Sequence, residues 1–246
     1  MTPPPTSFIV PAHNEAPLIG ATLDAIAGAI AALALDAEVL VVDDASSDGT
    51  AQVALAHGAR VVRVEHRHIA ATRNAGARAS GGSRLVFVDA DTLVDPTVVA
   101  AAMTALDAGA CGGGAAVLLA DGAPAHARRA ARVFAWIFRA TRIAPGCFLF
   151  CTREAFEAAG GFDEAFYAGE DVAMSRALAR PGRFVILRED VRTSARKLQT
   201  FSAVEHLRLA LRFAFRGRRM LRSRQDLDLW YGERRHAPQR RGPPRS

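Results

Sequence analysis

Arg84-Leu-Val-Phe-Val-Asp89-Ala-Asp91-Thr-Leu is the stretch that decides the fold. An apolar run, Leu85 to Val88, ends in two carboxylates separated by one residue. Continuous rather than alternating hydrophobicity is the mark of a strand buried on both faces, as in a parallel sheet. Ligands of open α/β sheets gather beyond the carboxyl ends of such strands. Two acids placed there repel one another and need a cation, most simply a hard divalent metal that also carries phosphate. Taken alone, Asp89 could equally cap a turn and Asp91 could be solvated loop. A second run, Val39 to Val42, also ends in paired carboxylates, Asp43 and Asp44, and this repetition favours a ligand edge.

Working outward, Ser7 to Val10 is a first strand, and Pro11-Ala-His13-Asn14-Glu15 is its loop. A helix is predicted from about Pro17 to Leu33, with Asn14 as its cap. Glu38 to Val42, Arg60 to Val64 and the Asp89 run supply three more strands. Helices are expected between them, from the Asp48-Gly49-Thr50 turn to about His57 and from Ala70 to Ala79. That alternation is a βαβ series with one shared ligand edge. Beyond it the pattern predicts helices over 96–106 and 127–140, extended segments over 111–119 and 146–151, and a helix ending near Gly161. An acidic, aromatic loop follows, then a helix from Glu170 to Leu178 and a late strand over 183–187. Neither the phosphate-loop signature nor the G-x-G-x-x-G fingerprint occurs, so a nucleotide must be held by side chains and a metal.

The chain has 246 residues, half of them apolar, which is enough for one large α/β domain or for one domain with a small appendage. The net charge of +6 hides a split: residues 1–190 carry 16 basic and 21 acidic side chains, residues 191–246 carry 15 and 4. The first part therefore has a net of −5 and the last a net of +11. A catalytic domain over 1–199, a basic amphipathic helical extension over 200–231 and an Arg/Pro-rich tail over 232–246 are expected. Cys111, Cys147 and Cys151 show no zinc spacing and read as reduced thiols, which suggests a cytoplasmic setting. Met1-Thr-Pro-Pro-Pro-Thr lacks the basic and apolar parts of a secretory leader, and no uncharged 18-residue run is seen.

Six motifs in order now identify a likeness: Pro11-Ala-His-Asn14-Glu15, Asp43-Asp44-Ala-Ser46-Ser-Asp48-Gly49-Thr50, Arg73-Asn74-Ala-Gly76, Asp89-Ala-Asp91, Gly160-Gly-Phe-Asp163-Glu164 and Glu170-Asp171. The set resembles the inverting glycosyltransferases of family 2, with the GT-A fold, over roughly residues 7 to 195. The resemblance implies an α/β fold with a single mostly parallel sheet flanked by helices. It implies a nucleotide-diphospho-sugar donor, with Pro11, Glu15, Asp43 and Asp44 at the nucleotide and Arg73 near its base or phosphates. Asp89 and Asp91 would be the D-x-D pair for Mg²⁺ or Mn²⁺, Asp91 nearest the metal and Asp89 also reaching the ribose. Glu170-Asp171 would supply the general base, Asp171.

Some features depart from well-known members. The Gln-x-x-Arg-Trp run of processive synthases is absent, which points to single addition. No histidine occurs between residues 172 and 205, where many relatives carry a further metal ligand. Arg192 and Arg196 could bind the diphosphate in its place. A sugar-phosphate nucleotidyltransferase is the nearest alternative enzyme, but Pro11–Glu15 lacks its Gly-rich opening. An inactive nucleotide-sugar-binding protein is the non-enzyme alternative. The arginines at helical spacing over 200–222, with Phe201, Leu207, Leu211, Phe213 and Phe215, suggest an anionic membrane surface and a lipid or lipid-linked acceptor. Nucleic acid is not expected, since no reading helix or stacking platform accompanies the charge.

Overall fold

In this computed structural model, residues 5–119, 135–136 and 138–193 are described. Eight strands form one sheet in the order β3-β2-β1-β4-β7-β6-β8-β5. The strands are β1 (Thr6–Ala12), β2 (Ala37–Asp44), β3 (Arg60–Val64), β4 (Arg84–Val88), β5 (Thr92–Leu93), β6 (Ala110–Leu119), β7 (Phe148–Thr152) and β8 (Arg183–Thr193). The helices are α1 (Ala16–Ala32), α2 (Thr50–Ala56), α3 (Ile69–Ala79), α4 (Pro96–Asp107), α5 (Arg153–Ala158) and α6 (Glu170–Leu178).

The first four strands in space, β3, β2, β1 and β4, are all parallel. Beyond β4 the sheet is mixed: β7 runs antiparallel to β4 and β6, β6 pairs parallel with β8, and β5 closes the far edge antiparallel to β8. Four of the seven pairings are therefore parallel, as a mostly parallel sheet requires. The late strand runs six residues past Leu187, because its second half continues to pair with Ala116–Leu119 and then with β5.

Every residue of β1 is buried, and alternate side chains feed two cores. Phe8 and Val10 pack with Ile19, Leu23 and Ile26 of α1 and Val98, Val99 and Ala102 of α4. Ile9 packs on the other face with Ala70 and Ala77 of α3, Phe87, Phe156 of α5 and Met174 of α6. Helices on both faces explain why these strands read as unbroken apolar runs. Phe87, Phe156 and Phe162 form an aromatic cluster with centroids 5.0 to 6.0 Å apart. Such contacts contribute about 0.5–1.5 kcal/mol beyond area burial, and they hold α5 and the acidic loop against the end of β4.

The Gly112–Gly114 run has a packing cause. A Cβ at Gly113 would stand 2.3 Å from the Val185 carbonyl oxygen, and one at Gly114 would stand 2.4 Å from the Ala144 Cβ. Only glycine lets the neighbouring chains approach so closely. The helix predicted over 127–140 falls largely outside the described residues, as do the extension over 200–231 and the tail over 232–246. Residues 138–141 are helical.

Candidate active site

Parallel strands place their carboxyl ends along one edge, so Ala12, Asp44, Val64 and Val88 all terminate there. Asn14 follows β1 at φ +52°, in the left-handed region that asparagine tolerates better than most residues. It does not cap α1 as the sequence suggests. Its Oδ1 instead accepts from the backbone N–H of Ser47 at 2.7 Å and of Asp48 at 3.4 Å, fixing the turn after β2. Asp48 returns the favour: its Oδ2 accepts the Ala16 N–H at 3.2 Å, and its Oδ1 accepts the Thr50 N–H at 3.0 Å. Glu15 stands at the N-cap position of α1, buried, with its own N–H donated to Thr50 Oγ1 at 2.8 Å. Pro11 lies within β1 opposite Val42. The two loops are thus locked together before any ligand arrives.

The carboxylates ending β2 have different surroundings. Asp44 accepts the N–H of Arg67 at 2.8 Å, the N–H of His68 at 3.0 Å and the Thr72 hydroxyl at 2.8 Å. Those bonds bind the loop between β3 and α3 to β2. Among the described residues Asp43 accepts only the Ser46 N–H, at 3.2 Å, and it lines a cleft of about 430 Å³. In the sequence alone the two are equivalent. The structure leaves Asp43 as the one with acceptor capacity facing an open volume.

Arg73 sits at the centre of the carboxylate cluster and is 2% exposed. It projects from α3 and donates to Asp89 Oδ1 at 2.8 Å, to Glu170 Oε1 at 2.7 Å and to the Gly146 carbonyl at 2.9 Å. The Phe162 ring lies 5.2 Å from its guanidinium carbon. Burial disfavours its charge, yet Asp89, Glu170 and Asp171 outweigh burial and raise its pKa. The resemblance implies Arg73 near the base or phosphates; here its two terminal nitrogens donate to carboxylates and a carbonyl, while its buried Nε has no partner among the described residues. The next residue, Asn74, grips the acidic loop. It accepts the Phe162 N–H and donates to the Phe162 carbonyl and Glu164 Oε1, each at 2.9 Å.

Glu170 and Asp171 open α6, after Gly169 at φ +77°. Burial pushes the Glu170 carboxyl up to about 7, against the pull of Arg73. Burial also raises Asp171, opposed by Arg73 and by the N–H groups of Val172 and Gly146, which Asp171 accepts at 2.7 and 2.8 Å. The Gly146 N–H was not legible as a partner in the sequence, and nothing short of the fold could reveal it.

Asp89 follows β4; its N–H donates to the Cys147 carbonyl and its own carbonyl accepts from Thr92. That turn brings Asp91 to the end of β8, where Thr193 Oγ1 donates to Asp91 Oδ1 at 3.4 Å. Arg192 stands opposite Leu93 in the same ladder. Arg196 lies outside the described residues. Among the described residues no three His, Cys, Asp or Glu side chains form a group that could hold a metal. Two carboxylates nonetheless fit Mg²⁺ or Mn²⁺ bound with a substrate diphosphate, since such ions commonly keep waters and take one or two protein carboxylates. Cys111, Cys147 and Cys151 are free thiols, as expected.

Comparison with solved structures places the fold among glycosyltransferases. A mannosyltransferase from Pyrobaculum calidifontis, solved with GDP-Man and Mn²⁺, matches with a TM-score of 0.64 at 25% identity, over 85% of this chain and 64% of that one. TarS from S. aureus, solved with UDP, matches with 0.59 at 19% identity, over 77% and 60%. Mannosyl-3-phosphoglycerate synthase from Rubrobacter xylanophilus matches with 0.58 at 21% identity, over 87% and 75%. The chain thus spans about three fifths of the length of the first two. A search of curated proteins found no match. The family model described as glycosyl transferase family 2 matches residues 7–160, from β1 through α5, and so contains the Asp43, Arg73 and Asp89–Asp91 motifs; the chain belongs to that family.

Proposed function

We propose that the chain is an inverting glycosyltransferase that moves one sugar from a nucleotide-diphospho-sugar to an acceptor hydroxyl. The observation that carries this reading is the linkage of Asp89 and Glu170, far apart in sequence, through one buried cation, Arg73, with Asp91 and Asp171 beside them. Donor-side and acceptor-side carboxylates are then held in one electrostatic unit.

Asp43 accepts a ring N–H of the base, Pro11 and Glu15 flank the nucleoside, and Arg192 and Arg196 meet the diphosphate. Asp91, with Asp89, holds Mg²⁺ or Mn²⁺; the Mn²⁺ in the Pyrobaculum mannosyltransferase supports that assignment. When bound, the ion offsets the charge that develops on the departing diphosphate. Asp171 takes the acceptor's proton as the hydroxyl attacks from the face opposite the leaving group, which inverts the anomeric centre. Two backbone N–H groups orient its carboxylate, and burial makes it a stronger base than a solvated aspartate. Glu170 is paired with Arg73 and acts by positioning its neighbour.

Asp171→Asn is expected to leave donor binding intact and to cut turnover by roughly 10²–10⁴. Loss of donor affinity with turnover preserved would assign Asp171 to binding. Asp91→Ala is expected to abolish the Mn²⁺-dependent part of nucleoside diphosphate binding in calorimetry, and an unchanged metal dependence would remove it from the metal site. The net +11 after residue 190 supports delivery to an anionic membrane surface, where a lipid-linked acceptor would lie. No described helix is long and apolar enough to cross a membrane. Vesicle co-sedimentation at low salt is the test of surface binding.

A further inference from the structure

The solved relatives do not settle the donor's base, because they include both UDP and GDP-Man complexes. The cleft at the ends of β2 and β3 carries chemistry of its own. Its floor holds Asp43, 5% exposed, with one oxygen bonded to the Ser46 N–H. Its walls include Gln52 from α2, Arg63 from β3 and Glu65 just beyond β3. Arg63 stands directly opposite Asp43 in the parallel ladder, and Glu65 is two residues on. Period-two alternation would return Glu65 to the side of Arg63, and both line the cleft. Gln52, Arg63 and Glu65 are exposed, and among the described residues their side chains make no hydrogen bond or ion pair. Of the other polar lining groups, Asp48 accepts from Thr50 and Ala16, the Ser46 hydroxyl accepts the Asn14 N–H, and the Ser47 hydroxyl donates to Asn14 Oδ1 at 3.4 Å.

Resting on the transferase reading above, we propose that this cleft selects guanine as the donor's base, with Glu65 as the discriminating residue. The cleft and the base match edge to edge. Two carboxylates require two donors from the ligand, and one guanidinium with one amide offers donors to its acceptors. Guanine presents N1–H and the 2-amino group side by side, with O6 and N7 as acceptors on the neighbouring edge. Asp43 takes the ring N–H, Glu65 takes the amine, and Arg63 and Gln52 serve O6 and N7. Uracil offers one ring N–H flanked by two carbonyl oxygens, so Glu65 would face an acceptor. Adenine and cytosine carry an amine but present an unprotonated ring nitrogen to Asp43. A phosphate is disfavoured in the cleft by both carboxylates.

The test is calorimetry on the full chain with Mn²⁺ and four probes: GDP, UDP, ADP and inosine diphosphate, which is GDP without the 2-amino group. GDP is expected to bind at least tenfold more tightly than UDP or ADP, and about tenfold more tightly than inosine diphosphate. In Glu65→Gln the preference of GDP over inosine diphosphate is expected to shrink to threefold or less. UDP affinity is expected to hold or rise, with an unchanged melting temperature. UDP binding as tightly as GDP in the wild type overturns the proposal. So does a GDP-to-inosine-diphosphate ratio that Glu65→Gln leaves unaltered. Failure of every nucleoside diphosphate to bind, with or without Mn²⁺, would instead bring down the transferase reading and this assignment with it.

Discussion

Two regions of the sheet edge present paired acids, and the protein neutralises them in different ways. At the end of β2, Asp44 is satisfied by two N–H groups and a hydroxyl, all from residues 67 to 72. At the ends of β4 and α6, Asp89 and Glu170 share the guanidinium of Arg73, across separations of 16 and 97 residues. Neutral donors tie one loop to one strand. A single buried cation ties three parts of the chain together. The second arrangement has one cation serving Asp89 and Glu170, with Asp171 close enough to act on it. The negative excess suits a site that takes up a divalent ion with its substrate.

The largest expected effect comes from breaking the second arrangement. Arg73→Ala leaves Asp89 and Glu170 without their counter-charge, and removing one partner of a buried pair costs about 3–5 kcal/mol. Urea unfolding should show the midpoint falling with little change in slope. Arg73→Lys should recover only part of the loss, because an ammonium lacks the planar fork that reaches two carboxylates and a carbonyl together. Full recovery by lysine would mean that charge alone, and not the fork, holds the cluster.

A smaller effect tests the first region. Asp44→Ala strands the N–H groups of Arg67 and His68, while the Thr72 hydroxyl keeps its bond to the His68 carbonyl. The expected cost is about 2–3 kcal/mol. Asp43→Ala loses one bond at 3.2 Å and should cost about 1 kcal/mol or less. Equal losses in the two variants would erase the distinction between an anchoring Asp44 and a cleft-facing Asp43.

The same contrast explains what could be read from the sequence. β1 to β4 and α1 to α4 were legible within a few residues, since each is a local apolar period bounded by Pro, Gly, Asp or Asn. The edge carrying Asp43 and Asp89 followed from βαβ topology. What escaped was set by contacts between distant residues. Asn14 looked like a helix cap because its spacing was right, but its left-handed backbone turns the side chain toward Ser47. The length of β8 was hidden because its last half is held by β6 and β5 rather than by its own apolar pattern. The burial of Arg73 between Asp89 and Glu170 shows only once α6 returns to α3. That Gln52, Arg63 and Glu65 line one cleft with Asp43 depends on β3 lying beside β2, which no local signal marks.

The finest test of the second region is its response to pH. Burial raises the Glu170 carboxyl to about 7 in the folded protein, well above the ordinary glutamate range that applies to the unfolded chain. Between those two values the folded state binds more protons than the unfolded state. Stability must then fall as pH rises through that window, by at most about 1.4 kcal/mol per pH unit for one group, and level off above about pH 7. Asp171 is raised by burial as well and adds to the slope in the same direction. Glu170→Gln removes one titrating group and should flatten the decline between about pH 5 and 7 without abolishing it, although loss of a partner for Arg73 lowers stability at every pH. Urea unfolding of the wild type and of Glu170→Gln at pH 5, 6 and 7 measures the slopes. An identical decline in wild type and Glu170→Gln would show that Glu170 stays ionised across the range and that Arg73 outweighs its burial.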